Sequence, residues 1–118
     1  FIVKNIENLF DGKEHQSEAF QTLLYAYILK SQNPDCNYQP NLYFVQNINN
    51  ESPITTLTIE KNELQKFDGE LYSQFKEQLE QLISRLLQTT GKFAQTSNEN
   101  NCNYCNFIDF CGRKPKTY

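Results

Sequence analysis

The 118-residue sequence predicts an α+β fold, in the order helix, strand, strand, long helix and cysteine tail. Three observations predict it. Apolar residues recur at helical spacing in two separate stretches, 17–30 and 70–89. Two short runs rich in β-branched and aromatic residues lie between them. Beyond them, Cys102, Cys105 and Cys111 place three of the four cysteines within ten residues.

The bulk numbers bound the function classes. The length suits one small domain, and 1–118 reads as part of a single domain whose tail is 92–118. Hydrophobic content is 38% and mean hydropathy −0.68, so the aromatics, at 14%, must supply much of the core. A net charge of −3 and a pI near 5.1 exclude a globally basic surface. A local basic patch remains at Arg113, Lys114 and Lys116. No run approaches the ~20 apolar residues of a membrane span, so no membrane partner is expected. The cysteine spacing favours a metal-type cluster over two disulfides, hence a reduced, cytoplasmic protein. The chain has no methionine and opens at Phe1 inside an apolar run, which reads as a piece of a longer or processed chain.

Residues 1–10 form a half-apolar lead-in, and Asp11-Gly12 signals a turn. Asp11-x-Lys13 matches a carboxylate-x-lysine pair only superficially, because such a pair needs an apolar strand to present it. Ser17 is the expected N-cap of a helix to about Lys30. Phe20, Leu23, Leu24, Tyr27 and Ile28 make its buried face. Gln21 and Tyr25, four apart, stack along the edge of that face. Residues 31–40 read as a linker with two prolines, and Cys36 as an ordinary free thiol.

Residues 41–48 read as a strand, 49–53 as a turn, and 54–59, alternating apolar and threonine, as a second strand. The short connection predicts an antiparallel hairpin. Two strands alone make a marginal sheet, so further strands are expected upstream. After Asp68-Gly69, a helix from Glu70 to about Thr89 carries Leu71, Phe75, Leu79, Leu82, Ile83, Leu86 and Leu87 in one stripe, expected to pack on the hairpin. Gly91 is the expected C-cap, and 93–101 a polar loop.

Cys102-x2-Cys105 has the spacing that lets two thiolates share one metal centre, and Cys111 adds a third. Three thiolates suit zinc or the iron of an iron–sulfur cluster. Both need a fourth ligand, which comes from afar, from sequence outside these residues, or not at all. His15 is a poor substitute, since a lone histidine before a helix is usually a surface residue.

Two patterns in this order carry a resemblance. Phe20-Gln21-Thr-Leu-Leu-Tyr25-Ala-Tyr27 resembles the Gln-x3-Tyr helix of the PD-(D/E)XK nuclease superfamily, in its RecB/AddB-like branch. Lys92-Phe93-Ala-Gln-Thr96, followed by Cys102-x2-Cys105-x5-Cys111, resembles the C-terminal cysteine tail of that branch. Asn41-Leu-Tyr-Phe-Val looks like the strand that follows the Gln-x3-Tyr helix. The resemblance runs from about Ile6 to Gly112.

The resemblance implies the C-terminal part of a restriction-endonuclease-like fold. It implies a DNA exonuclease that uses Mg2+ or Mn2+ in recombinational DNA repair, beside a helicase subunit or a fused helicase domain. Carboxylates of that family hold the metal, which activates water and stabilises charge on the phosphate. Gln21 and Tyr25 would then line the active-site edge and contact DNA or the catalytic side chains. Cys102, Cys105 and Cys111 would be three ligands of a 4Fe–4S cluster, with zinc as the alternative metal. Such a cluster would clip the tail to a distant segment and close a long loop.

The sequence departs from the pattern in two ways. No strand with Asp…(Asp/Glu)-x-Lys precedes Gln21, so no catalytic residue is assigned, and these residues alone are expected to be inactive and metal-free. The fourth, upstream cysteine of the cluster is also missing. Two other readings stand beside the nuclease: a non-enzymatic zinc-binding interaction module, and an inactivated nuclease-like domain that binds DNA or a helicase.

Overall fold

A computed structural model of the chain describes residues 2–11, 16–45, 48–49, 54–88 and 94–113. The chain divides into two compact units, Phe1–Leu87 and Gln88–Tyr118. The first carries all the regular strands and helices of the α+β fold. It runs β1 (Ile2–Val3), a 3-10 turn (Glu7–Leu9), α1 (Ser17–Gln32), β2 (Asn41–Tyr43), β3 (Ile54–Thr56), β4 (Thr58–Ile59), β5 (Asn62–Glu63) and α2 (Gly69–Leu87).

The strands form two small sheets. β1 pairs parallel with β4, and β4 antiparallel with β5. β2 pairs antiparallel with β3, Leu42 facing Thr55 and Tyr43 facing Ile54. The lead-in thus contributes a strand, and Val3 and Ile6 lie in the core. The expected single strand over 54–59 is instead two. The chain leaves one ladder at Thr56 and joins the other at Thr58. Leu57, fully buried at that junction, has its carbonyl bound by the Leu64 amide at 2.7 Å. The expected strand over 41–48 stops at Tyr43, and Val45 and Ile48 enter a turn closed from the Ile48 amide to the Val45 carbonyl.

β4 turns into β5 through Glu60 and Lys61, whose φ angles are +51° and +69°. Two-residue hairpin turns of type I′ need positive φ at both positions, which glycine or asparagine usually supplies. Glu-Lys carries no such signal, so this hairpin is invisible in the sequence.

The Ser17 hydroxyl donates to the Glu18 carboxylate rather than capping α1, and Gln16 occupies the N-cap position. The Gln16 side-chain amide donates to the Ile2 carbonyl at 3.1 Å, tying the helix start to β1. The buried line of α1 is Ala19, Leu23 and Ala26, flanked by half-buried Phe20, Leu24 and Tyr27. Ile28 is exposed. The two alanines shift the buried centre away from the larger side chains that marked the expected face.

α2 packs through Phe75, its one buried residue, with Leu71, Tyr72 and Leu79 beside it. Its partners are aromatic. Phe75 meets Phe10 edge-on at 5.3 Å and Phe67 at 5.9 Å, while Tyr72 stacks on Tyr27 of α1 at 5.3 Å. The ring contacts of α2 are made with α1 and the segments before both helices, and Leu71, Tyr72 and Leu79 pack on the same core as Leu57 and Ile59 of the expected hairpin. The stripe also ends early: Ile83, Leu86 and Leu87 are 45%, 60% and 79% exposed. Gly12, Lys13, His15, Gly91, Lys92, Phe93, Lys114 and Lys116, and most of the 49–53 turn, lie outside the described residues. Among the described residues no helix is long and apolar enough to cross a membrane.

Candidate nucleic-acid interface and cysteine unit

α1 buries Ala19, Leu23 and Ala26, so residues two positions after Ala19 and Leu23, on the opposite side of the helix, point outward. Gln21 and Tyr25 are these residues, one turn apart and both exposed. The Gln21 side-chain amide donates to the Tyr25 hydroxyl oxygen at 2.8 Å. That bond brings the two side chains together on the outward face of the helix. It occupies a lone pair of the phenol oxygen and leaves the phenol proton for an external acceptor. A phosphate oxygen is such an acceptor.

Beside the pair, α1 and the approach to β2 enclose a cleft of about 290 Å3. Tyr25, Ala26 and Leu29 line it from the helix, and Tyr38, Pro40 and Asn41 from the opposite side. Thr22 and Gln39 complete the lining, so no ionised side chain faces it. The far wall is held in place. The Lys30 ammonium donates to the Pro34 and Cys36 carbonyls at 2.6 and 2.8 Å. The Phe67 amide donates to the Tyr38 carbonyl at 2.9 Å. Partial burial, then the charge and hydrogen bond of Cys36, push the Tyr38 phenol above its ordinary 10.0, against an opposing hydrogen bond from Asn33. It is neutral at physiological pH. This wall escaped the sequence reading because its prolines mark 31–40 as a linker; the aromatic Tyr38 just before Pro40 was the available signal.

The second unit is built from turns. A 3-10 turn (Glu99–Cys102) is capped by Asn98, whose side chain accepts from the Asn100 amide at 3.1 Å. Backbone bonds then run from the Cys105 amide to the Cys102 carbonyl, and from the Cys111 amide to the Phe107 carbonyl. Arg113 clasps the unit. Its guanidinium donates to the Thr96 carbonyl at 2.6 Å, the Gln95 side-chain oxygen at 3.2 Å and the Cys102 sulfur at 3.3 Å. Gln95 in turn donates to the Cys111 carbonyl at 2.8 Å. Arg113 is thus engaged inside the unit, not displayed as part of a basic patch. Tyr104, Phe107 and Phe110 are exposed.

Cys102, Cys105 and Cys111 are all free thiols, as is the exposed Cys36. Among the described residues no three His, Cys, Asp or Glu side chains are grouped to hold a metal ion.

The family model for the PD-(D/E)XK nuclease superfamily matches residues 4–112, a span that takes in α1, strands β2 to β5, α2 and all four cysteines. No curated protein and no solved structure matches the chain.

Proposed function

The chain belongs to the PD-(D/E)XK nuclease superfamily, and from that premise we propose that it is part of a DNA exonuclease acting in recombinational repair. Nucleases of this superfamily act on DNA, generally with Mg2+ or Mn2+. The observation that carries the reading is the Gln21–Tyr25 pair, hydrogen-bonded and exposed on one face of a helix inside the matched span. Polar groups locked one turn apart on a rigid helix hold a fixed distance to a phosphate or to a catalytic side chain. In this reading the pair grips the DNA strand at the edge of the active site. The metal-holding carboxylates and the lysine that orients the nucleophile are supplied by strands that feed α1 from upstream. The 118 residues alone bind DNA without cutting it. The enzyme works in the cytoplasm beside a helicase, which delivers the strand.

The second reading, a zinc-binding interaction module, is favoured by one observation: the three clustered cysteines lie in a compact unit of their own, Gln88–Tyr118. Metal content separates the two readings. The protein carrying this chain, purified without oxygen, is assayed for iron and zinc and for Mg2+- or Mn2+-dependent loss of linear DNA. Metal-dependent degradation supports the exonuclease, and iron with it supports a 4Fe–4S cluster at Cys102, Cys105 and Cys111. Bound zinc without degradation supports the module instead.

A further inference from the structure

We infer that the cleft between α1 and the Tyr38–Asn41 wall is a subsite for one unstacked nucleobase of a single-stranded DNA end. The inference rests on the reading of Gln21 and Tyr25 as a strand-gripping pair and assigns the neighbouring cleft. Three observations carry it.

The first is continuity. Tyr25 belongs both to the outward pair and to the cleft wall, so a strand whose phosphate meets the Tyr25 hydroxyl carries its base to the cleft mouth. The second is size. At about 290 Å3 the cleft lies at the lower end of ligand sites, about 300–1,000 Å3, which suits a single flat ring system. The third is chemistry. The lining holds two phenol rings, two aliphatic side chains and a proline, with the amides of Gln39 and Asn41 at the rim. A phosphate would need cations or several backbone N–H groups, whereas a base needs an aromatic or apolar face and neutral hydrogen-bonding edges. Lys30, a cation at the end of α1, is committed to the Pro34 and Cys36 carbonyls. The neutral Tyr38 phenol brings no repelling charge.

The test compares two probes on the full chain at low salt by fluorescence anisotropy: a short oligodeoxythymidylate, and an abasic oligomer of the same length and charge. The wild type is expected to bind the thymidylate about five-fold or more tightly, the effect of one stacked base. Tyr38→Ala removes a stacking face, and Thr22→Leu fills the cleft with an aliphatic side chain that adds no ring. Each is expected to erase the preference while leaving abasic binding unchanged. If Tyr38→Ala loses its helical circular dichroism, Thr22→Leu decides alone. Equal binding of both probes by the wild type, or a preference that survives Thr22→Leu, overturns the base subsite and leaves the strand-gripping pair standing. Binding of neither probe overturns both.

Discussion

Gln21 and Tyr25 are joined by a 2.8 Å hydrogen bond on the exposed face of α1. An exposed i,i+4 pair adds only about 0.2–0.5 kcal/mol to a helix, too little for the pair to be a stability device. Its consequence is positional: the phenol oxygen of Tyr25 accepts from Gln21, so its proton is left for another acceptor. Tyr25→Phe and Gln21→Ala should therefore change unfolding free energy by no more than about 0.5 kcal/mol in urea titrations. Both should weaken binding of linear DNA. A loss of stability with unchanged DNA binding would make the pair structural.

Phe75 is fully buried and touches Phe10, Phe20, Tyr27 and Phe67. Phe75→Ala should cost about 3–5 kcal/mol, since the rings around it cannot close the cavity. That is a large share of the ~5–15 kcal/mol of a typical domain. The urea midpoint should fall sharply with little change in slope.

Leu87 extends the apolar stripe in sequence but is 79% exposed. Leu87→Gln should stay within about 0.5 kcal/mol of wild type in the same titration. A cost approaching that of Phe75→Ala would mean that the end of α2 is buried.

Tyr38 titrates above 10.0 in the folded chain, chiefly through partial burial and then through Cys36. A raised folded pKa favours the protonated, folded state. Its contribution is complete below 10.0 and is lost as pH rises from there through the higher folded value. Stability should decline over that alkaline window, and Tyr38→Phe should shallow the decline. Urea midpoints measured on either side of pH 10.0 check this.

Arg113 makes three side-chain hydrogen bonds within the cysteine unit. Arg113→Ala should expose Cys102, raising its alkylation rate several-fold over that of Cys36, which serves as the internal reference. Arg113→Lys should not restore the slow rate, because an ammonium cannot reproduce the planar fork that reaches all three acceptors.

The two helices were legible because their apolar spacing is regular, although α1 begins one residue before the start that an N-cap at Ser17 implies. The centre of its buried face was not, because Ala19 and Ala26 bury completely while looking unremarkable beside Phe20 and Ile28. The β3–β4 break was hidden for a related reason. Thr-Leu-Thr-Ile alternates correctly for one strand, and only the third dimension shows Leu57 passing from one ladder to the other. At the candidate site, spacing placed Gln21 and Tyr25 side by side along one edge of α1, as two flanking polar groups, and only the resemblance to the Gln-x3-Tyr helix marked them as site residues. The opposite wall was not, since Tyr38 and Asn41 reach the cleft through the fold of a proline-rich connection that has no periodicity to read.

The most direct test of the central claim is the fate of linear against covalently closed circular DNA when the protein carrying this chain is given Mg2+. The expected result is loss of the linear DNA alone, slowed by Tyr25→Phe. Both DNAs remaining intact with Mg2+ or Mn2+ would contradict a nuclease, and cutting of the closed circle would contradict an exonuclease.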